Sequence, residues 1–583
     1  MLDLIVRGGG VVDGTGAAPR TADVAIKDGR IVDVGRVSAP AREVIDADGA
    51  LVTPGFIDLH THYDGQFLWD DQMDPSFSHG VTTAIAGNCG VGFAPVAQHR
   101  RELLELMEGV EDIPGIVLDE GLDWSWRSFP EYLDKLAGRR YAMDVATHIT
   151  HAPLRVFVMG ERALRHEAAT GEDIAAMCEL VREAMAAGAV GFSNGQHTGH
   201  VSSRGLKVPG TFAQDEELLA IAKAMGEGGR GVVQHIPDIG NATDPEGSSD
   251  ENRLRAHRLM ESMARASGRP VTYTLVQRNF DPEGMQMMLG ESDRAWGEGL
   301  RLYPQVSPRG IGAIYMLDGY HIFMRKNAYR EIAHLPRRER AMAMRDPARR
   351  AAILRQENVD GEYAQNPAVM RMLNAQPAYL PGAFVPTSPL DCEPGPEWRV
   401  AVLAQAAGKT VEEFVYDLYA AGDGDNYVVV YPGNYALGNL DHVAALFDKP
   451  NAVMGLGDGG AHMRVMCDAS MPTFVVAFMT RDRTRGERLP LEQVVRKLSK
   501  DAADLYDLDD RGTLEVGKRA DLNVIDYDRL NLKAPSMVYD LPSGAGRLLQ
   551  GSQGYLATLV AGVATRRNDA DTGARPGRLI RTR

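Results

Sequence analysis

From residue 54 onward the chain alternates between two textures, and that alternation narrows the folds open to it more than any other feature. Apolar runs of strand length, GFIDLH, GVTTAIAG, AMDVATHI, AVGFSN, GVVQH, PVTYTLV and AVMGLGD, are separated by helix-length stretches such as IAAMCELVREAMAAG and EELLAIAKAMGEGG. Strands that alternate with helices pair in parallel, because a parallel connection needs a crossover long enough to hold a helix. Both quoted helices run into Gly, which tolerates the left-handed backbone of a helix end. The expected class is α/β, a parallel sheet or barrel.

The two ends of the chain read differently. LIVRGGGVVDG, ADVAIKDGRIVDVG and EVIDADGALVTPG alternate apolar and polar residues between Gly and Asp turns, and KDGR is a hairpin signal. RGTLEVGKRADLNVIDYDRL and YLATLVAG carry the same texture near the other end. Chain ends often lie close together, so one β domain built from both is expected. At ~150 residues per domain the 583 residues would make about four. The texture reduces this to two: residues 1–53 with 481–583 as the β domain, and 54–480 as the α/β unit. Residues 280–430 interrupt the alternation with a basic helical run, HLPRRERAMAMRDPARR, and a Pro-rich part. This reads as an insertion or lid, the arginines as a solvated helix face. Such an insertion also offers contact surface for a homo-oligomer.

Lys and Arg number 63 against 79 Asp and Glu, a net charge of −16, which gives no global attraction for nucleic acid. No run of ~18 apolar residues predicts a membrane helix. MLDLIVRGGG lacks the charged and apolar regions of a signal peptide. Cys89, Cys178, Cys392 and Cys467 stand far apart with no CxxC pair, which argues against a disulfide framework or zinc ribbon. A reducing, cytoplasmic setting is expected, with no membrane or nucleic-acid partner.

Several strand ends carry chemistry. In GFIDLHTHYD, His60 and His62 sit two apart, on one side of a strand end. Two imidazoles so placed suit a metal, and the C-terminal strand ends of a barrel are where active sites lie. Cys89 follows GVTTAIAGN in a Gly-rich turn; its thiolate is a soft ligand for zinc. His235 closes GVVQH. Asp458 follows AVMGLG, with His462 four residues beyond. His148 and His151 lie in ATHITHAPLR. Each alone could be a packed or loop residue; so many at strand ends is hard to explain by packing.

The order of these motifs resembles the metal-dependent amidohydrolase superfamily, and within it the D-aminoacylase, or N-acyl-D-amino-acid deacylase, branch. The similarity rests on GFIDLHTHYD, GVTTAIAGNCGVGFAP, HAPLRVFVMG, GAVGFSNG, PGTFAQDEELLAIA, the Asp458 strand and DDRGTLEVGKRADLNVID, and covers roughly residues 1–270 and 450–565. It implies a distorted TIM (β/α)8 barrel with a small β-sandwich formed from both termini. It implies zinc, one or two ions, held by His60, His62, Cys89, His235 and Asp458. Cys89 matches the cysteine that replaces the carboxylated lysine of other amidohydrolases. Two departures stand out. The branch places another metal histidine where this chain reads PVTYTLVQ, leaving Tyr273, Thr274 and Gln277 as polar candidates. The segment GQHTGHVSSRGLKVPG replaces a shorter Tyr-containing one and brings His197, His200 and Lys207 toward the mouth.

The resemblance implies hydrolysis of a small-molecule amide by metal-activated water. Asp458 would act as general acid and base, and His151 would help to stabilise the oxyanion. Arg155 and Arg464 are candidates for a substrate carboxylate, and His462 for a further substrate contact. A hydrolase of cyclic amides, lactones or carbamates would use the same machinery. A non-catalytic scaffold of the same fold is the alternative of another class.

Overall fold

The computed structural model describes residues 1–240 and 245–582. Both chain ends build one nine-stranded sheet. Its path runs Ala570–Asp571, Val563–Arg567, Tyr555–Val560, Leu522–Ile525, Leu51–Pro54, Leu2–Val11, Arg20–Lys27 and Arg30–Gly35, and Ala41–Asp46 also pairs with Leu2–Val11. The joint between the ends is antiparallel, with Val52 opposite Val524 and Pro54 opposite Leu522. At KDGR the chain turns through Asp28 (φ 51°) and Gly29 (φ 73°), the two left-handed residues of a tight hairpin. Leu4, Val6, Val24, Ile26, Leu522 and Val524 form its apolar core.

The alternating region forms two parallel groups. Phe56–Asp58, Val81–Ala86 and Asp144–Thr147 make the first. Ile149–Thr150, Gly191–Gly195, Val232–Ile236, Val271–Thr274, Leu302–Val306 and Val453–Met454 make the second, paired in chain order. Only His148 separates Asp144–Thr147 from Ile149–Thr150. A parallel bridge between Thr61 and Gly459 joins the far ends of the two groups. Ile57, Ile85, Ala146, Val190, Val232 and Val453 pack in one cluster together with Ala502, Ala503 and Leu505.

Each apolar run read as a strand contains one, and Leu302–Val306 adds a strand with Pro304 in its middle. The alternation therefore continues past residue 280, through the helix Gly284–Gly297 to Val306, and the interruption starts beyond it. There Ile311–Met316 pairs antiparallel with Tyr427–Gly433. The helices Arg337–Met344, Pro347–Arg355, Pro367–Tyr379 and Val411–Ala420 gather around a separate core that includes Leu317, Tyr320, Phe323, Tyr416 and Tyr419. The arginines of the basic run are not merely solvated: Arg340 pairs with Asp318, and Arg350 holds Asp417 through two bonds of 2.7 and 3.0 Å.

The helices Leu491–Leu498 and Lys500–Leu505 pack against the parallel strands, so the terminal sheet takes up the chain only from Leu522. The two sheets are pinned together at Asp144, whose carboxylate accepts from Arg511 (2.9 Å), Arg519 (3.0 Å) and the Arg578 N–H (3.0 Å). Among the described residues no helix is long and apolar enough to cross a membrane.

Candidate metal centre

His60 and His62 follow the strand Phe56–Asp58, their rings 5.3 Å apart. Thr61 between them is held by its bridge to Gly459, and the His62 N–H donates to the Gly459 carbonyl (2.7 Å). Strand pairing thus fixes both histidines beside the loop that carries Asp458. Cys89 arrives from the turn after Val81–Ala86. Its backbone is left-handed (φ 60°), as is that of Asp458 (φ 48°), a conformation that costs a residue with a Cβ ~1–3 kcal/mol and collects at functional sites.

These elements bring four donors together. The ligand atoms of His60, His62 and Cys89 all lie within 4.8 Å of one another. Cys89 Sγ is 3.3 Å from His60 Nε2 and 3.6 Å from His62 Nε2. Asp458 Oδ1 is 3.3 Å from His60 Nε2 and 3.8 Å from His62 Nε2. Donors about 2.0–2.3 Å from a common tetrahedral zinc stand about 3.3–3.8 Å apart. The separations of Cys89 and of Asp458 from the two imidazoles match this, while Asp458 itself lies outside the mutually close group of His60, His62 and Cys89.

Charge and tautomer agree with that fit. His60 Nδ1–H donates to Gln305 Oε1 (2.6 Å), which leaves Nε2 unprotonated toward Cys89 and Asp458. Glu111, the last residue of the helix Arg100–Glu111, lies behind the other imidazole, its Oε1 3.4 Å from His62 Nδ1. Burial pushes both histidines down, His62 strongly, and keeps them in the neutral form that ligates. Burial pushes the Cys89 thiol well up, and the neighbouring carboxyl groups of Glu111 and Asp458 act in the same direction. A thiolate here needs a cation, and the neutral imidazoles do not supply one; metal binding with proton release would.

The other expected residues are placed as follows. His235 donates from Nδ1 to Asn194 Oδ1 (2.6 Å), and its Nε2 is buried without a partner, outside the cluster of three. On the next strand the Tyr273 hydroxyl is bonded to Ser292 (2.6 Å) and Gln277 Oε1 accepts the Ala436 N–H (3.3 Å). Thr274 alone of the three lines the metal cavity. His148 is taken up by the Ala86 carbonyl and the Tyr506 hydroxyl.

Arg155 and His151 do not reach the cavity. Both are buried on Glu217, at 2.7 and 2.8 Å, where burial pushes the carboxyl up but His151 and Arg155 outweigh it and hold it at about 2. Arg155 serves as the counterion of a buried carboxylate. Arg464 is turned onto the face of Tyr320, 4.7 Å from the ring centroid. His462, also left-handed (φ 48°), does line the cavity, as do His197 and His200. The Lys207 ammonium is bonded to the Thr198 carbonyl.

The cavity measures about 290 Å³. His60, His62, Cys89 and Asp458 line it, together with Ile236, Thr274, Val276, Arg278 and Phe280. Arg278 donates to the Ile239 carbonyl (2.6 Å) and lies over the Phe280 ring, and no salt bridge engages it among the described residues. Sequence reading missed Glu111, Gln305 and Arg278. Each is remote in sequence from the ligands and carries no local signature.

A profile of the amidohydrolase family matches residues 43–565, and the chain belongs to that family. Among its relatives, D-aminoacylase of Alcaligenes xylosoxydans xylosoxydans is 36% identical over 239 residues, 41% of this chain and 45% of that protein. The match to this relative thus spans less than half of its length. An uncharacterized protein of Mycobacterium bovis is 26% identical over 562 residues, 91% of this chain and 85% of its own. Two solved structures superpose over the full length of both chains. One, of D-aminoacylase and its binuclear metal centre, has a TM-score of 0.65 at 23% identity. The other, of N-acyl-D-glutamate deacylase from Bordetella bronchiseptica with zinc and a phosphonate inhibitor, has a TM-score of 0.62 at 24% identity. These two likenesses establish the fold.

Proposed function

We propose that this chain is a zinc-dependent hydrolase of a non-peptide amide bond, acting on an N-acyl amino acid of the D series or a related N-acyl amide. The observation that carries this reading is the convergence of His60 Nε2, His62 Nε2, Cys89 Sγ and Asp458 Oδ1 at one cavity in a chain of the amidohydrolase family. The names of its relatives, D-aminoacylase and the N-acyl-D-aspartate and N-acyl-D-glutamate deacylases, support the substrate class.

These four residues would hold one zinc ion. A second would have the buried Nε2 of His235 and only a neutral hydroxyl, Thr274, from the next strand, a poor ligand set. When bound, zinc lowers the pKa of water toward ~7 and polarises a carbonyl. Asp458, partly open to the cavity, takes the proton of the attacking water on its carboxylate and returns it to the leaving nitrogen. Gln305 holds the His60 ring in place through its hydrogen bond, and Glu111 stands behind the His62 ring without bonding it. For a substrate carboxylate the cation is Arg278, in place of Arg155 or Arg464. Its fork keeps donors free for a bidentate pair inside the cavity.

The scaffold of this reading is a distorted (β/α)8 barrel, with the terminal sheet as a separate β-sandwich domain. The single residue between Asp144–Thr147 and Ile149–Thr150, the Thr61–Gly459 bridge and the shared inward cluster support closure. The domain boundary then falls near residue 54 at one end and between Leu505 and Leu522 at the other. Asp458→Asn tests the chemistry. It keeps the fold and lowers kcat by ~10²–10⁴ on N-acetyl-D-amino acids; near-full activity in the variant overturns the role of Asp458.

A further inference from the structure

Beside the metal cavity lies a second one of about 400 Å³, and the two share Val110 and His462 as lining. Its outer wall is the helix Pro367–Tyr379 of the interrupting segment. Leu373 and Leu380 turn into that segment's core. Ala368, Met372, Ala375 and Tyr379 recur at i, i+4, i+7 and i+11, one helix face, and all four line the cavity, Met372 also touching the segment's core. The opposite wall is the end of the helix Arg100–Glu111. Glu108 there accepts the Gly115 N–H (3.3 Å), and Asp112 accepts the Tyr320 hydroxyl through Oδ1 (2.9 Å) while its Oδ2 is buried without a partner.

We infer that this second cavity receives the acyl chain of the substrate, and that the chain is a linear apolar one longer than acetyl. The inference rests on the proposed hydrolysis of an N-acyl amino acid. Arg278 and Phe280 line the metal cavity alone, so a leaving amine whose carboxylate lies on Arg278 stays there. The acyl half, on the other side of the scissile carbonyl, then passes Val110 and His462 onto the helix face of Met372 and Ala375. Val110, Tyr315, Met372, Ala375, Tyr379 and Val465 make the lining mainly apolar, with Arg371 its one cation; walls of this kind favour methylenes along most of their length.

The test is the affinity of the zinc-loaded protein for linear alkyl hydroxamates from aceto- to octanohydroxamate, which bind metal without being turned over. Affinity should rise by about fourfold per methylene until the cavity is filled. Ala375→Trp should flatten the series at unchanged zinc content; Ala368→Phe serves as a second obstruction should the first misfold. A flat series in the wild-type protein overturns the inference. Hydrolysis of N-acyl-D-amino acids is measured in parallel. A rising series without any turnover would refute the proposed activity and not the cavity, whereas turnover with a flat series would refute the cavity alone.

Discussion

Glu217 shows how a cationic residue beside a functional site can be spent on structure. Its carboxylate is 1% exposed and binds both His151 and Arg155, which hold it at about 2 against an ordinary 4.5. A carboxyl depressed on folding stabilises the protein above the unfolded value and loses that contribution as pH falls toward the folded one. The acid limb of the stability profile should therefore begin near pH 4.5 and deepen toward 2. Glu217→Gln leaves Arg155 buried without a counterion, a loss of about 3–5 kcal/mol near neutrality. Denaturant unfolding of the variant across pH measures both effects: a loss of that size at neutrality and an acid limb flatter than the wild type's are expected, and wild-type stability at neutrality would contradict the ion-pair role. At this scale the sequence was partly legible. His60, His62, Cys89 and Asp458 could be read because they end apolar runs. The true neighbours of Arg155 could not, since Glu217 lies 62 residues away.

At the scale of elements, the turn after Val81–Ala86 sets the position of Cys89. Gly90 is left-handed (φ 74°), and a Cβ there would lie 2.9 Å from the Gly195 nitrogen and 3.0 Å from Asn194 Cα. The turn can touch the neighbouring strand because position 90 has no side chain. Gly90→Ala should cost about 1–3 kcal/mol in backbone strain and displace Cys89, so that zinc protects the variant against thermal unfolding less than it protects the wild type. Equal protection would show that the turn does not set the thiolate. The same scale explains the strand Leu302–Val306. Pro304 broke the apolar pattern, and Gln305 was hidden with it. The pairing of this strand depends on its two neighbours, Val271–Thr274 and Val453–Met454, the second of which lies far along the chain.

Across the whole molecule, the chain ends close a sheet, and that sheet is pinned to the parallel strands at one buried carboxylate. Asp144 is 1% exposed and faces Arg511 and Arg519. Asp144→Asn should cost about 3–5 kcal/mol and split a single calorimetric transition into two. Retention of one transition at wild-type temperature would show that the pin is dispensable. The β texture at both ends made the joined sheet legible. The helices Leu491–Leu498 and Lys500–Leu505 read with the terminal sheet in sequence and pack against the parallel strands; helical periodicity reports a buried face without naming what covers it.

The central claim is a single zinc held by His60, His62, Cys89 and Asp458 that hydrolyses N-acyl-D-amino acids. The most direct test follows kcat/KM for N-acetyl-D- and N-acetyl-L-amino acids while zinc is added back to metal-free protein. The account predicts activity that rises with bound zinc to a plateau at about one equivalent per chain, with the D compounds preferred. Binding of well under one equivalent, with no hydrolysis of either series after zinc addition, would contradict it and leave the chain a non-catalytic member of its family.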